Sequence, residues 1–232
     1  DAIACKLTVN HVKSNEEITH FVCLLADISE TKKTQSLLYD LAYKDSLTGL
    51  PNRLSLNSYL VSQIGRFKHS DTQLALFFID LDNFKFVNDS LGHKAGDDIL
   101  KKAARIITEV IDEDCFIARL GGDEFVVFAK VDENYDFDLF ARKLMNSVAQ
   151  PHFIVGTEAE VTASIGVAVV NDKHTTFDDV RKKADMAMYK AKESGKNKYH
   201  YYSDELNKEY MRNLNIVNRL KDALTHELLD LH

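Results

Sequence analysis

The stretch "LALFFIDLD", residues 74 to 82, runs through six apolar residues before its first carboxylate. A run this apolar is suited to the centre of a sheet, so Asp80 and Asp82 emerge at the edge of a buried layer. Acids in such a place are costly unless they are paired or bind a cation. A second stretch, "RLGGDEFVVF", residues 119 to 128, sets Gly121, Gly122, Asp123 and Glu124 between two short apolar runs. Its simplest reading is a β-hairpin whose glycines supply turn freedom and whose acids face water. If that hairpin neighbours the 74 to 82 strand, however, Asp123 meets Asp80 at one sheet end. Converging carboxylates suit Mg²⁺, a hard ion that takes oxygen ligands together with substrate phosphates. Spacing alone leaves solvated surface acids and a metal site both open.

The rest of the chain supplies cover for such a sheet. Periodicity predicts a helix after "DSLTGLPNR" reaching about Ile64, and a helical region from Asn83 to Ile111 interrupted near "LGHKAG". Further helices are expected over Asp136 to Ala149 and Phe177 to Glu193. Strands are expected at 115 to 120, 125 to 129, about 152 to 156, 159 to 169 and in "KYHYY". Hairpins mixed with helices imply an α+β class, a largely antiparallel sheet flanked by helices. Ahead of it, "AIACKLTVNHV" and "THFVCLLADI" read as two strands joined by "KSNEE", and Ser29 or Asp27 is a candidate N-cap for a helix carrying Leu37, Leu38 and Leu41. At the other end Leu214, Val217, Leu220, Leu224 and Leu228 make a helical stripe with nothing obvious to pack on.

Composition narrows the function classes. The 232 residues are 45% hydrophobic and 28% charged, enough for a full core, and the net charge of -7 argues against broad electrostatic binding to nucleic acid. A phosphate-bearing ligand is therefore met locally. Cys5, Cys23 and Cys115 have no metal-ligand spacing and read as buried, reduced thiols of a cytoplasmic protein. No apolar run approaches membrane-spanning length, and the start at Asp1 without Met suggests a piece of something longer, in which a membrane segment could lie elsewhere.

Other polar residues are ambiguous singly. Lys192 and Lys196 bracket "KESGK" at a helix end, where lysines complement the helix dipole by default. Asp97 follows Gly96 and reads as a helix N-cap, Asn88 as a surface residue, and Lys85 lies just past the central strand.

Their order carries more than their types. "DSLTGLPNR", "FIDLDNFKFVNDSLGHKAGDDIL", "RLGGDEFVV", "VTASIGVAV" and "ADMAMYKAKESGKNKY" resemble, in sequence and order, the GGDEF family of diguanylate cyclases over residues 42 to 202. The resemblance implies a fold like the nucleotide-cyclase and polymerase palm, and conversion of two GTP into cyclic di-GMP and pyrophosphate. It implies that Asp80, the Leu81 carbonyl and Asp123 hold Mg²⁺, with Mn²⁺ as the substitute, and that Asp123 or Glu124 influences proton transfer. Gly121 and Gly122 would let the turn approach GTP, and Asn88 and Asp97 would bond the guanine edge. Asn83, Phe84 and Lys85 would meet the phosphates, aided by Lys192 and Lys196; at the last position the family often has Arg, so Lys196 offers a point charge rather than a fork. Since each domain holds one GTP, two domains must meet, at least in a transient homodimer. Many relatives also carry a product-binding Arg-x-x-Asp stretch, and the aligned residues here are Asp112, Glu113, Asp114 and Cys115.

On the same basis the domains are 1 to 28, similar to the end of a PAS sensor; 29 to 44, a signalling helix; 45 to 203, the GGDEF domain; and 204 to 232, a linker and the opening of an EAL-like phosphodiesterase domain. Two functions from different classes follow: an active cyclase, or a silent GTP-binding module that controls an attached EAL domain. A purely structural scaffold leaves Asp80, Asn88, Asp97 and Asp123 without a reason to coincide.

Overall fold

A computed structural model of the chain describes residues 3–14, 17–67, 73–131, 135–149, 152–154, 157–159, 161–170 and 175–225. They form two compact units divided after Lys44. In the first, strands β1 (Cys5–Ser14) and β2 (Glu17–Asp27) pair antiparallel with Cys5 opposite Asp27, and helix α1 (Ser29–Tyr43) follows. The N-cap position of α1 is Ile28, one residue from either expected cap, and no side chain caps it. Asp27 instead accepts a hydrogen bond from the Ser29 N–H at 2.8 Å, a local turn that starts the helix. Cys5 and Cys23 are exposed rather than buried, because they sit on a hairpin with no second layer of its own.

The second unit is built on β3 (Gln73–Leu81). Its antiparallel neighbours are β5 (Glu124–Val131) and β8 (Ala163–Val170); β4 (Cys115–Gly121) pairs antiparallel with β5 at one edge, and β9 (Tyr199–Tyr201) lies parallel to β8 at the other. The strand alternation of β3 divides the core in two. Ala75, Phe77, Ile79 and Leu81 pack with helices α3 (Phe84–Leu91), α4 (His93–Val110) and α5 (Phe137–Val148) on one face. Leu74, Leu76 and Phe78 pack with α2 (Arg53–Phe67) and α6 (Phe177–Glu193) on the other. The sheet is thus mixed and largely antiparallel with helices on both faces, the expected α+β class.

Two local expectations are corrected. The strand expected from 159 to 169 begins only at Ala163, while β6 (His152–Ile154) and β7 (Thr157–Ala159) form a separate short hairpin. The break in the long helical region falls at Gly92, whose φ of 84° ends α3 and lets α4 begin at His93, so Asp97 lies inside α4 instead of capping it. The stripe Leu214, Val217 and Leu220 belongs to α7 (Asp204–Thr225) and stays exposed, as expected; the helix reaches α6 through other residues, by the Lys190–Glu209 ion pair at 2.7 Å and the Tyr189–Tyr210 edge contact. Leu228 lies outside the described residues. Among those residues no helix is long and apolar enough to cross a membrane.

Helix α6 is seated on β8 with almost no clearance. A Cβ at Gly166 would fall 1.9 Å from the Ala184 carbonyl oxygen and 2.2 Å from the Met188 nitrogen, both main-chain atoms that cannot rotate away. Gly166→Ala is therefore expected to destabilise the fold by about 2–3 kcal/mol through overpacking. Urea denaturation checks this, and an unchanged midpoint would contradict it.

Candidate active site

The C-terminal end of β3 is where the buried sheet turns polar. Asp80 stands opposite Glu124 of β5 and Ser164 of β8, and is 6% exposed. The hairpin turn that carries Asp123 is drawn to the same end, because the Leu81 N–H donates to the Asp123 carbonyl oxygen at 3.3 Å. Gly121 and Gly122 make that turn with φ values of 139° and 54°, which side chains rarely allow. The expected adjacency of Asp80 and Asp123 is therefore found, through a direct β3–β5 pairing.

A cavity of about 440 Å³ opens at this end, lined by Asp80, Leu81, Asn83, Phe84, Lys85 and Asp123, with Lys192 and Lys196 opposite the acids in charge. Lys192 Nζ forms an ion pair with Asp80 Oδ1 at 2.7 Å, and Lys196 Nζ donates to Asn83 Oδ1 at 2.7 Å. Asn83 holds a left-handed conformation with φ 60° and gives way at once to α3, so the first N–H groups of that helix, near Phe84 and Lys85, stand at the cavity without intrahelical partners.

Five expected site residues do not line this cavity: Gly121, Gly122, Glu124, Asn88 and Asp97. The glycines serve it through the turn, and Glu124 flanks it from β5. Asn88 and Asp97 lie farther along, half-buried on α3 and α4. There Gly96 makes room for the Asn88 side chain; a Cβ on it would sit 1.9 Å from Asn88 Oδ1.

The electrostatics fit a cation site. Burial pushes the Asp80 carboxyl up to about 6; the nearby Lys192 ammonium opposes this, and the charge of Asp123 adds to it. Glu124 is also raised, first by burial and then by Asp185 and Asp123. Asp80 Oδ1 is buried and makes no aligned hydrogen bond, its cationic neighbour being Lys192. Asp80, Asp123 and the Leu81 carbonyl are hard oxygen donors of the kind Mg²⁺ takes. Among the described residues no three His, Cys, Asp or Glu side chains form a complete metal cage, so water and ligand oxygens would fill the remaining positions.

Two supports were not foreseen as such. Arg119, 8% exposed, holds the turn from behind: its Nε and Nη2 donate to the Gly122 carbonyl at 3.1 and 2.7 Å, and its Nη1 donates to Asp45 Oδ1 at 2.8 Å. Asp45 also accepts from Thr48, so the "DSLTGLPNR" loop is fastened to the hairpin turn. Asp82, with its side chain tied to Thr162, Ser164 and Asn197, is the other.

Comparison with known proteins agrees with this geometry. Residues 42–198 match the family described as diguanylate cyclase, GGDEF domain. The chain belongs to the GGDEF family. It is 35% identical over 229 residues to the signaling protein YkoW of Bacillus subtilis, covering 97% of this chain and 28% of that one. To the bifunctional diguanylate cyclase/cyclic di-GMP phosphodiesterase MucR of Pseudomonas aeruginosa it is 38% identical over 195 residues, 84% of this chain and 28% of the relative. The chain thus spans 28% of the length of each of these curated relatives. A crystal structure of a sensory box/GGDEF family protein from Caulobacter crescentus superposes with a TM-score of 0.61 at 40% identity, covering 66% of this chain and 99% of that one.

The raised Asp80 carboxyl in this GGDEF domain has a testable cost. The folded chain keeps its proton up to about pH 6, whereas the unfolded chain releases it near 3.8, so the contribution of Asp80 to stability falls as pH rises between those values. Asp80→Asn has no such penalty. In metal-free buffer the variant is expected to gain on wild type by about 1–2 kcal/mol as pH rises from roughly 4 to 6, with a flat difference above. Urea unfolding of both proteins across that range measures it.

Proposed function

We propose that this GGDEF domain is a diguanylate cyclase that joins two GTP into cyclic di-GMP with release of two pyrophosphates, each domain contributing a half-site. The observation that carries the reading is the meeting of Asp80 and Asp123 with Lys192, Lys196 and the start of α3 in one cavity. Carboxylates and ammonium groups side by side suit a metal–triphosphate better than either ion alone.

In this reading Asp80, Asp123 and the Leu81 carbonyl hold Mg²⁺ or Mn²⁺. When bound there, such ions would supply Lewis acidity for the 3′-hydroxyl and for the charge on the leaving pyrophosphate. Lys192 exchanges part of its pairing with Asp80 for the phosphates, and Lys85 and Lys196 hold them in line with the attacking oxygen. The 3′-oxygen of one nucleotide forms a bond to the α-phosphorus of the other, the bond from that phosphorus to the bridging oxygen breaks, and pyrophosphate departs. Asp123, or Glu124 beside the cavity, would influence transfer of the hydroxyl proton; burial and acidic neighbours raise the affinity of Glu124 for a proton. Asn88 and Asp97 read the guanine edge, and the use of GTP implies a cytoplasmic site of action.

The flanking elements fit a relay. The apolar residues Leu7, Val9, Phe21, Leu24 and Leu25 are exposed on the β1–β2 hairpin, as in the last strands of a PAS-like sensor awaiting its other strands. Leu37, Leu38 and Leu41 are exposed on α1 and provide a seam for a second protomer. Helix α7 would lead towards an EAL-like domain. The second reading, a silent GTP-binding module, draws support from Lys196 standing where the family often has Arg.

Incubation of the chain with GTP and Mg²⁺ separates the two readings. Cyclic di-GMP is expected, with specific activity that falls on dilution as half-sites separate. Asp123→Ala and Asp80→Ala should each lower the rate at least about 100-fold, with thermal melts showing that the variants remain folded. GTP binding without product would favour the silent module. Wild-type turnover in either variant would remove that residue from catalysis.

Product control is expected to differ from that of relatives with the Arg-x-x-Asp stretch. Asp112, Glu113 and Asp114 are exposed acids here, and Cys115 is a half-buried thiol pushed by burial up to about 11. Three carboxylates repel a doubly anionic product. Synthesis should therefore be insensitive to micromolar cyclic di-GMP; calorimetric binding that vanishes on changing residues 112 to 115 would show otherwise.

A further inference from the structure

Among the described residues Asp82 is the most buried charged side chain, at 1% exposure, although it lies just past the end of β3. Its partners come from two other parts of the chain. Ser164 Oγ donates to Oδ1 at 2.7 Å; Thr162 Oγ1 and the Asn197 N–H donate to Oδ2 at 2.7 and 3.0 Å. Three donors converging on one group call for a side chain that only accepts, which an ionised carboxylate is.

The third donor sits in an unusual turn. After α6 the chain passes through three consecutive residues of positive φ: Gly195 at 113°, Lys196 at 60° and Asn197 at 45°. Left-handed geometry is natural for Gly195, tolerated by Asn197 and disfavoured for Lys196, so surrounding contacts must hold it. The Lys196 N–H is satisfied by the Ala191 carbonyl at 3.1 Å, which finishes the helix. The Asn197 N–H points out of the turn and ends on Asp82. Between these two anchored amides the Lys196 side chain is directed to Asn83 Oδ1, across the mouth of the cavity.

We propose that Asp82 is a positioning residue for Lys196: it clamps the 195–197 turn in its left-handed shape and so sets the Lys196 ammonium where it meets the triphosphate, the latter role resting on the cyclase reading. Asp80 and Asp82, two residues apart, thereby divide the work of the β3 end. Both border the cavity, but Asp80 keeps its carboxylate for the cavity's cations, whereas both oxygens of Asp82 are taken up by Thr162, Ser164 and Asn197 of the scaffold.

The test has two readouts on the full chain. In the nucleotide-free protein, amide hydrogen exchange is followed by NMR. Asp82→Ala should speed exchange of the Asn197 amide by about tenfold or more while the Phe77 and Val127 amides of the sheet centre keep their rates. Affinity for a non-hydrolysable GTP analogue with Mg²⁺ is then measured. Asp82→Ala and Lys196→Ala should each lose about tenfold and the double variant no more than either, since both remove one contact. Asp82→Asn should restore most of the affinity, because its carbonyl oxygen can face Asn197 while the hydroxyls of Thr162 and Ser164 turn to suit. Should Asp82→Ala fail to fold, Asp82→Leu with Thr162→Val and Ser164→Ala fills the same space with apolar atoms and takes its place in both measurements. Unchanged Asn197 exchange overturns the clamp whatever the nucleotide does, and losses that multiply in the double variant overturn its action through Lys196. A loosened turn in a chain whose wild type does not bind the analogue would uphold the clamp and overturn the cyclase reading.

Discussion

The burial of β3 on both faces governs the arrangement of the second unit. From Leu74 to Ile79 its side chains are enclosed by helices above and below, which leaves no place along its length for a polar group. Polarity is pushed to the C-terminal end, where Asp80 and Asp82 follow the last apolar residues. There the cost of desolvating two carboxylates has to be met by partners brought from elsewhere. For Asp82 these are hydroxyls and an amide; for Asp80 it is the Lys192 ammonium group. The site is thus a product of the core, since the same layers that enclose β3 deliver β5, β8 and α6 to its end.

Arg119 performs the corresponding task for the hairpin turn. A turn with two glycines is free in principle, and freedom is the wrong property for a loop that must present Asp123 at a fixed distance from Asp80. The guanidinium removes that freedom by binding the Gly122 carbonyl twice and Asp45 once. Hydrogen bonds from Thr48 and Arg119 outweigh the effect of burial and hold the Asp45 carboxyl below its ordinary range. The loop at the beginning of the second unit and the turn that carries Asp123 are in this way one hydrogen-bonded body, a large share of whose bonds converge on two charged side chains.

Much of this was readable from the sequence, and the failures have identifiable causes. Helix α6 was expected from Phe177 to Glu193 and has those ends, because its capping box at Thr176 and Asp179 and its terminal lysines are local signals. The position of Asp97 was misread because Gly92, not Gly96, breaks the helical region; both glycines look alike in sequence, and only the packing of Asn88 against Gly96 tells them apart. Asp80 and Asp123 could be brought together from sequence only on the condition that the hairpin neighbours β3, a condition the β3–β5 pairing meets. The partners of Asp82 could not, since they lie 80, 82 and 115 residues away and none belongs to a periodic pattern. Roles for Asn88, Asp97 and Lys85 came from the order of family motifs, and the geometry by itself would not have suggested a guanine.

The close seating of α6 on β8 at Gly166 bears on mechanical freedom. Where helix and strand meet main chain to main chain, neither can slide along or roll over the other without collision, so α6 travels only with the sheet. Lys192, on its last turn, is in effect mounted on the same rigid frame as Asp80. Lys196 lies past the end of that helix, in a left-handed turn tied back to the same frame by the Ala191 carbonyl and by Asp82. Lys192 is thus carried by helix and sheet together, and Lys196 by a turn whose shape a buried carboxylate of the same sheet end holds.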